Sequence, residues 1–298
     1  MWQVPEPLST RDVRVDDDTV IILRRHGNPA GPRLVLSHGN GLAVDLYYPF
    51  WSLLADDFDL VVYDLRNHGW NPVGRPESHN VARFVRDHDL TLQAIDRHFG
   101  SKPKIGVFHS VSALASLLSA NLGSEFAARV LFDPPVCKRG LGYEAFDAAA
   151  ERVSAMARRR APRFESIQQF AEVLPYLPIY QRTVPGVFDL VARTTLREAT
   201  DGDGYELRCP RDYEAQIIQY AAPFAVMVEL EKLRSPTKVI GADPFLPFSY
   251  LPTLDLSHIL TVDYDFVPET THFLQLEEPE SCVAIMREFL DRHGLLDP

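Results

Sequence analysis

Cysteine is scarce in this chain of 298 residues: there are three, Cys137, Cys209 and Cys282, odd in number and far apart. That pattern excludes a disulfide framework and a cysteine zinc cluster, and it suits a reducing compartment. Long hydrophobic runs are missing too, so no segment reads as a membrane span. The opening residues, Met1-Trp2-Gln3-Val4-Pro5-Glu6-Pro7, carry neither a basic stretch nor an apolar one. They do not read as a secretory leader, and a cytoplasmic location is expected. Positive charge is in deficit, with 30 Lys and Arg against 41 Asp and Glu, a net charge of −11. Nucleic acid and anionic membranes are polyanions that reward basic clusters, so neither is expected as a partner. The one basic run, Arg158-Arg159-Arg160, reads as a solvated helix face. Internal repeats and low-complexity tracts are absent.

What remains is ordinary globular material, 46% hydrophobic and 24% charged, long enough to bury a sizeable core. Short β-branched runs at Asp12 to Val15 and Thr19 to Arg24, split by Asp16-Asp17-Asp18, read as an antiparallel pair. Apolar runs then alternate with helical patterns. Strands are expected at Leu34 to Ser37, Leu60 to Tyr63, Lys104 to Phe108 and Val130 to Phe132, and helices near Tyr48 to Ala55, Val81 to Phe99 and Val111 to Leu122. Such alternation predicts a mostly parallel α/β sheet covered on both faces, with ligands at the carboxyl ends of its strands. From about Pro135 to Arg234 the strand rhythm stops. The span is helical in pattern and rich in aromatics, among them Phe146, Phe170, Tyr180 and Phe224. It reads as an inserted helical lid, residues 135–234, over a core made of 1–134 and 235–298, with an apolar cavity beneath.

The most informative stretch is Lys104-Ile105-Gly106-Val107-Phe108-His109-Ser110-Val111-Ser112-Ala113. An apolar run ends abruptly in His-Ser and a small-residue helix begins at once. A strand that turns this sharply exposes the turn side chain and aims the first helical N–H groups at whatever it attacks. Ser110 is therefore the candidate nucleophile. Upstream, Leu34-Val35-Leu36-Ser37-His38-Gly39-Asn40-Gly41 runs from a buried strand into a glycine-punctuated loop whose backbone amides can face an oxyanion. Downstream, Thr237-Lys238-Val239-Ile240-Gly241-Ala242-Asp243 is another apolar strand that ends in a carboxylate. Thr270-Thr271-His272-Phe273 follows a strand expected around Ile259 to Val262 and precedes a proline-started last helix.

With these residues in the order Ser, Asp, His, the chain resembles the α/β-hydrolase fold superfamily over nearly its whole length. His38-Gly39-Asn40-Gly41, Asp64-Leu65-Arg66-Asn67-His68-Gly69, His109-Ser110-Val111-Ser112 and His272-Phe273-Leu274-Gln275-Leu276-Glu277 carry the likeness. Glu206-Leu207-Arg208-Cys209-Pro210 looks like a lid-segment signature of the esterase-like serine hydrolase branch. The resemblance implies an α/β-hydrolase fold with Ser110 as nucleophile, His272 as general base, and the backbone amides of Asn40 and Val111 as oxyanion hole. His38 and His109 would support the motifs, and Asp64 and Arg66 would brace a turn. The acid has two candidates. Asp243 is favoured although it stands one residue nearer its strand glycine than the family pattern, and Asp133, before Pro134-Pro135, is the rival. Phe108 stands where the family elbow usually has a small residue, so the elbow is expected to shift or a neighbour to shrink.

The expected activity is serine-hydrolase cleavage of a carboxylic ester of apolar character through an acyl-enzyme. Neither cofactor nor metal is expected, the partner is a small apolar substrate, and a homodimer is left open. The alternatives are hydrolysis of a C–C bond, lactone or amide by the same triad, and a non-catalytic binding protein on this fold.

Overall fold

A computed structural model describes residues 2–137, 142–246 and 262–296. The acidic turn at 16–18 joins two antiparallel strands, β1 (Ser9–Arg14) and β2 (Val20–Gly27). The continuous apolar runs form β3 (Arg33–Ser37), β4 (Asp59–Tyr63), β5 (Lys104–His109) and β6 (Ala128–Phe132), buried along their whole length. Uninterrupted hydrophobicity of this kind marks strands covered on both faces. Alternate residues duly enter two separate cores: Leu34, Leu60, Ile105 and Val130 face one, Val35, Val61, Phe108 and Leu131 the other.

Helices α1 (Tyr48–Trp51), α2 (Val81–Phe99) and α3 (Val111–Leu118) fill the crossovers. Asn80 caps α2 by accepting a hydrogen bond from the Arg83 N–H. After β6 come α4 (Tyr143–Arg159), β7 (Arg163–Phe164), α5 (Ile167–Val173), α6 (Val187–Thr195), β8 (Leu196–Glu198), β9 (Tyr205–Leu207) and α7 (Arg211–Ala225). The region that the sequence pattern makes purely helical thus also holds a small antiparallel sheet, β7-β9-β8. The chain then returns through β10 (Thr237–Gly241), β11 (Asp263–Phe266), α8 (Leu274–Glu277) and α9 (Pro279–Arg292). The strand expected at 259–262 falls almost wholly outside the described residues, and the strand before His272 is β11.

Eight strands share the main sheet in the order β1-β2-β4-β3-β5-β6-β10-β11. All neighbours from β4 onward run parallel. The register sets Ser37 beside Phe108, His109 beside Phe132 and Ile240 beside Phe132. The loops that follow β3, β5, β6 and β10 therefore leave the sheet at one level and meet along one edge. The α7 segment stands over that edge. Asn40 Nδ2 donates to the Glu214 carbonyl at 2.8 Å, and Tyr213 Oη donates to the Gly74 carbonyl at 2.8 Å.

The basic run does not form a wholly solvated face. Arg158 donates to Ser154 Oγ, whereas Arg160 turns inward onto the buried Glu214 carboxylate.

Candidate active site

Ser110 sits between β5 and α3 with φ 54° and ψ −119°, a conformation that costs a non-glycine residue energy and persists only where the surroundings enforce it. Two backbone bonds do so: Ser110 N–H donates to the Phe132 carbonyl at 3.0 Å, and the Ser110 carbonyl accepts from Leu114 N–H at 3.0 Å. Ser112 Oγ closes the turn, accepting from His109 N–H and donating to the His109 carbonyl. Phe108 leaves this turn undisturbed because a neighbour has shrunk. Its ring lies back along β5 over Gly106, where a Cβ would sit 2.6 Å from Phe108 Cε2, and packs against Phe126 and His88.

The hydroxyl of Ser110 faces the imidazole of His272, with Oγ 3.0 Å from Nε2. On the other side of the ring, Nδ1 lies 2.6 Å from Asp133 Oδ2. An ionised carboxylate only accepts, so Nδ1 carries the proton and Nε2 presents a lone pair to the serine. All three residues are at least nine-tenths buried.

The carboxylate beside the ring is thus that of Asp133, and the expectation that favoured Asp243 is corrected. The reason is register. Asp133 follows β6, the strand next to β5, whereas Asp243 follows β10, one strand further away. Asp243 is used otherwise: Oδ1 accepts from Phe245 N–H at 2.9 Å, Oδ2 accepts from Glu269 N–H at 2.8 Å, and its own N–H donates to the Thr270 carbonyl. It thereby ties down the loop that carries His272. Thr271 holds the same loop through its N–H, which donates to the buried Glu277 carboxylate at 2.6 Å.

The backbone N–H groups of Val111, next after Ser110, and of Asn40, next after Gly39, have no backbone acceptor among the described residues. Gly39 approaches so closely that a Cβ there would meet His109 Nδ1 at 2.8 Å and Ser110 Cβ at 3.3 Å. A relay fixes this loop against the histidine. Gly39 N–H donates to Tyr47 Oη at 3.1 Å, Tyr47 Oη–H donates to His109 Nδ1 at 2.6 Å, and His109 Nε2–H donates to the His272 carbonyl at 2.8 Å. The carbonyl end only accepts, which sets the direction of every bond and leaves His109 neutral. Burial and the neighbouring His272 push its pKa well below the ordinary value, as the relay requires. Tyr47 was not legible as a member of the site; its sole signal is proximity in sequence to the glycine loop.

The other motif histidines are neutral supports. His38 Nε2 accepts from Leu65 N–H at 3.0 Å, and His68 Nε2 accepts from Gly41 N–H at 3.0 Å. Asp64 accepts from Val44 N–H and from Arg24, and Arg66 grips both Asp87 oxygens, at 2.6 and 2.7 Å. Cys137, Cys209 and Cys282 are buried thiols.

A parallel sheet with an antiparallel edge, whose sharp turn after β5 presents a serine to a histidine from the last loop, defines the α/β-hydrolase fold. The sequence model of the Alpha/beta hydrolase family matches residues 34–285, and the chain belongs to that family. Similar solved structures extend over almost the whole chain. E-2-(acetamidomethylene)succinate hydrolase matches with a TM-score of 0.73 at 19% identity, covering 95% of this chain and 99% of that one. The thioesterase domain from the curacin biosynthetic pathway gives 0.70 at 14%, over 94% and 99%. A thermophilic esterase from Thermogutta terrifontis gives 0.68 at 17%, over 96% and 99%. At these identities the likeness speaks for the fold. No helix among the described residues is long and apolar enough to cross a membrane.

Proposed function

We propose that the protein is a serine hydrolase that cleaves a carboxylic ester through an acyl-enzyme. The carrying observation is the unbroken run from Ser110 Oγ through both nitrogens of His272 to Asp133, at 3.0 and 2.6 Å. Ser110 attacks the ester carbonyl while His272 Nε2 takes its proton, and Asp133 stabilises the imidazolium through Nδ1–H. The carbonyl oxygen becomes an alkoxide, received by the amides of Asn40 and Val111. The intermediate then collapses: its C–O bond to the alcohol breaks, and Nε2 returns the proton to the departing oxygen. Water repeats the cycle on the acyl-enzyme, giving the acid and free Ser110. His272 handles each proton, so the scheme uses no cofactor.

In this reading residues 135–234 are the cap, supported by the bonds from Asn40 to Glu214 and from Tyr213 to Gly74. The Tyr180 ring lies 5.1 Å from that of Phe273, next to His272. This aromatic wall supports an apolar acyl or alcohol group. The structures similar to this one include an esterase and a thioesterase domain, which fits acyl transfer to water.

A fluorophosphonate probe, followed by peptide mapping, is expected to label Ser110 in the folded protein and to leave Ser110→Ala unlabelled. p-Nitrophenyl esters graded in acyl length would be hydrolysed by the first and not the second. Folded wild-type protein that takes up no probe and cleaves none of these esters would overturn the reading.

A further inference from the structure

Outside the triad, three side chains with metal-ligating atoms meet. His88 and Asp89 are neighbours in α2, and Glu125 lies in the loop that brings the chain from α3 to β6, at the opposite edge of the sheet from Ser110. One nitrogen of His88 and one oxygen from each carboxylate lie within 4.8 Å of one another.

The pairing of these groups is incomplete. His88 is 1% exposed; its Nδ1 lies 3.0 Å from Tyr63 Oη, while Nε2 is buried with no partner. Both carboxylate oxygens of Glu125 are likewise buried and unpartnered. Asp89 has one bond, from Ser119 Oγ at 2.7 Å to Oδ1. The nearby Arg129 attracts Glu125 electrostatically but hydrogen-bonds to the Ser116 carbonyl and Thr237 Oγ1, not to Glu125. A buried imidazole nitrogen and two buried carboxylate oxygens left open in this way cost free energy unless something fills the space between them.

The geometry points to a structural divalent-cation site at His88, Asp89 and Glu125, of a kind that takes Zn2+. One nitrogen and two carboxylate oxygens form a borderline donor set that suits zinc better than the harder magnesium or calcium. Ligands around tetrahedral zinc stand roughly 3.4 Å apart, so the two carboxylate arms close inward by about 1 Å through their own side-chain torsions. With Nε2 as ligand, Nδ1 carries the proton and donates to Tyr63 Oη, the outer hydrogen bond that ligating histidines generally make. The ion would bind α2 to the loop that starts β6 and leave the hydrolytic edge untouched. The sequence contains no hint of it, because the ligands come from two elements without cysteine or a spaced His motif.

The test uses the full chain after chelator treatment and dialysis, with Zn2+ as the probe, read by competition with a chromophoric chelator and by thermal unfolding. One equivalent of Zn2+ is expected to bind, and saturation to raise Tm by about 5 °C. Glu125→Gln, which keeps shape and removes a ligand charge, is expected to weaken binding at least about 100-fold and abolish the Tm rise. Tyr63→Phe keeps all three ligands and is expected to weaken binding about 10-fold. Ester hydrolysis should be equal in the metal-free and Glu125→Gln proteins. Wild-type protein that binds no Zn2+, or binds it as well as Glu125→Gln does, overturns the proposal. An unchanged Tm at saturation overturns the structural role.

Discussion

Asp133 Oδ2 lies 2.6 Å from His272 Nδ1, although 139 residues separate them and another aspartate follows the next strand. Replacing Asp133 by Asn turns an obligate acceptor into a group that also donates, and lets the imidazole take the wrong tautomer. Asp133→Asn is expected to lower kcat by roughly 10⁴-fold with little change in KM. Asp243→Asn keeps a side-chain carbonyl for the His272 loop and is expected to lose less than about 10-fold. Steady-state kinetics on one activated ester decide between the two. Equal losses would mean that the charge of Asp133 has no special part.

What the sequence could and could not reveal divides along physical lines. The sharp turn at Ser110 was legible because an apolar strand, a bend and a small-residue helix are all local. His272 was legible from its place before the last helix. Which aspartate meets the His272 ring was not, because the deciding fact is the order β5-β6-β10, a property of pairing rather than of any segment. Pro134-Pro135 further disguised Asp133 as the start of a turn. The three-stranded β7-β9-β8 sheet was missed because strands of two or three residues carry no periodic signal. Arg160 looked solvated because its partner, Glu214, lies 54 residues further on.

Tyr47 offers a test of positioning. Tyr47→Phe removes the hydroxyl between Gly39 and His109 and leaves His109 Nδ1 buried without a donor, at a cost of about 1–3 kcal/mol in stability. Its catalytic signature is expected in kcat, about 10-fold lower, because both the Gly39 loop and the His272 backbone lose one anchor. A purely structural tyrosine would lower Tm and leave the kcat of the remaining folded enzyme as it was.

Buried imidazoles make the fold sensitive to acid. His26, packed on Trp51, is pushed by burial and by Arg24 from 6.5 to about 4. His79, between Phe84 and Tyr213, is pushed by burial and by Arg66 from 6.5 to about 3. Burial lowers His38, His68 and His109 as well. Between those values and 6.5 the unfolded chain binds protons that the folded protein refuses, so stability falls as pH drops. At pH 5 the loss is about 2 kcal/mol each for His26 and His79, relative to pH 7.5. Carboxyls raised by burial, such as Glu277, work in the opposite direction and offset part of it. Urea unfolding at pH 7.5, 6 and 5 is expected to show the decline, and His79→Gln to show a shallower one. A profile that is flat or rises toward acid would contradict the assignment.

Phe108 and Gly106 form the pair that lets this chain build its elbow with a phenyl ring in place. A Cβ at 106 would meet Phe108 Cε2 at 2.6 Å and Phe126 Cε1 at 3.0 Å, so Gly106→Ala forces both rings to move. Overpacking of this kind costs about 1–3 kcal/mol. Because Phe108 directly precedes His109 and Ser110, part of the displacement should reach the nucleophile and lower kcat. Phe108→Leu alone leaves a void over Gly106 and is expected to cost about 1–2 kcal/mol, less than complete truncation of the ring. The two changes together trade a methyl group for part of a ring, so the double variant should be more stable than the sum of the singles by about 1 kcal/mol or more. Thermal unfolding of the four proteins closes the cycle. Additive losses would show that the two side chains do not compete for the same space.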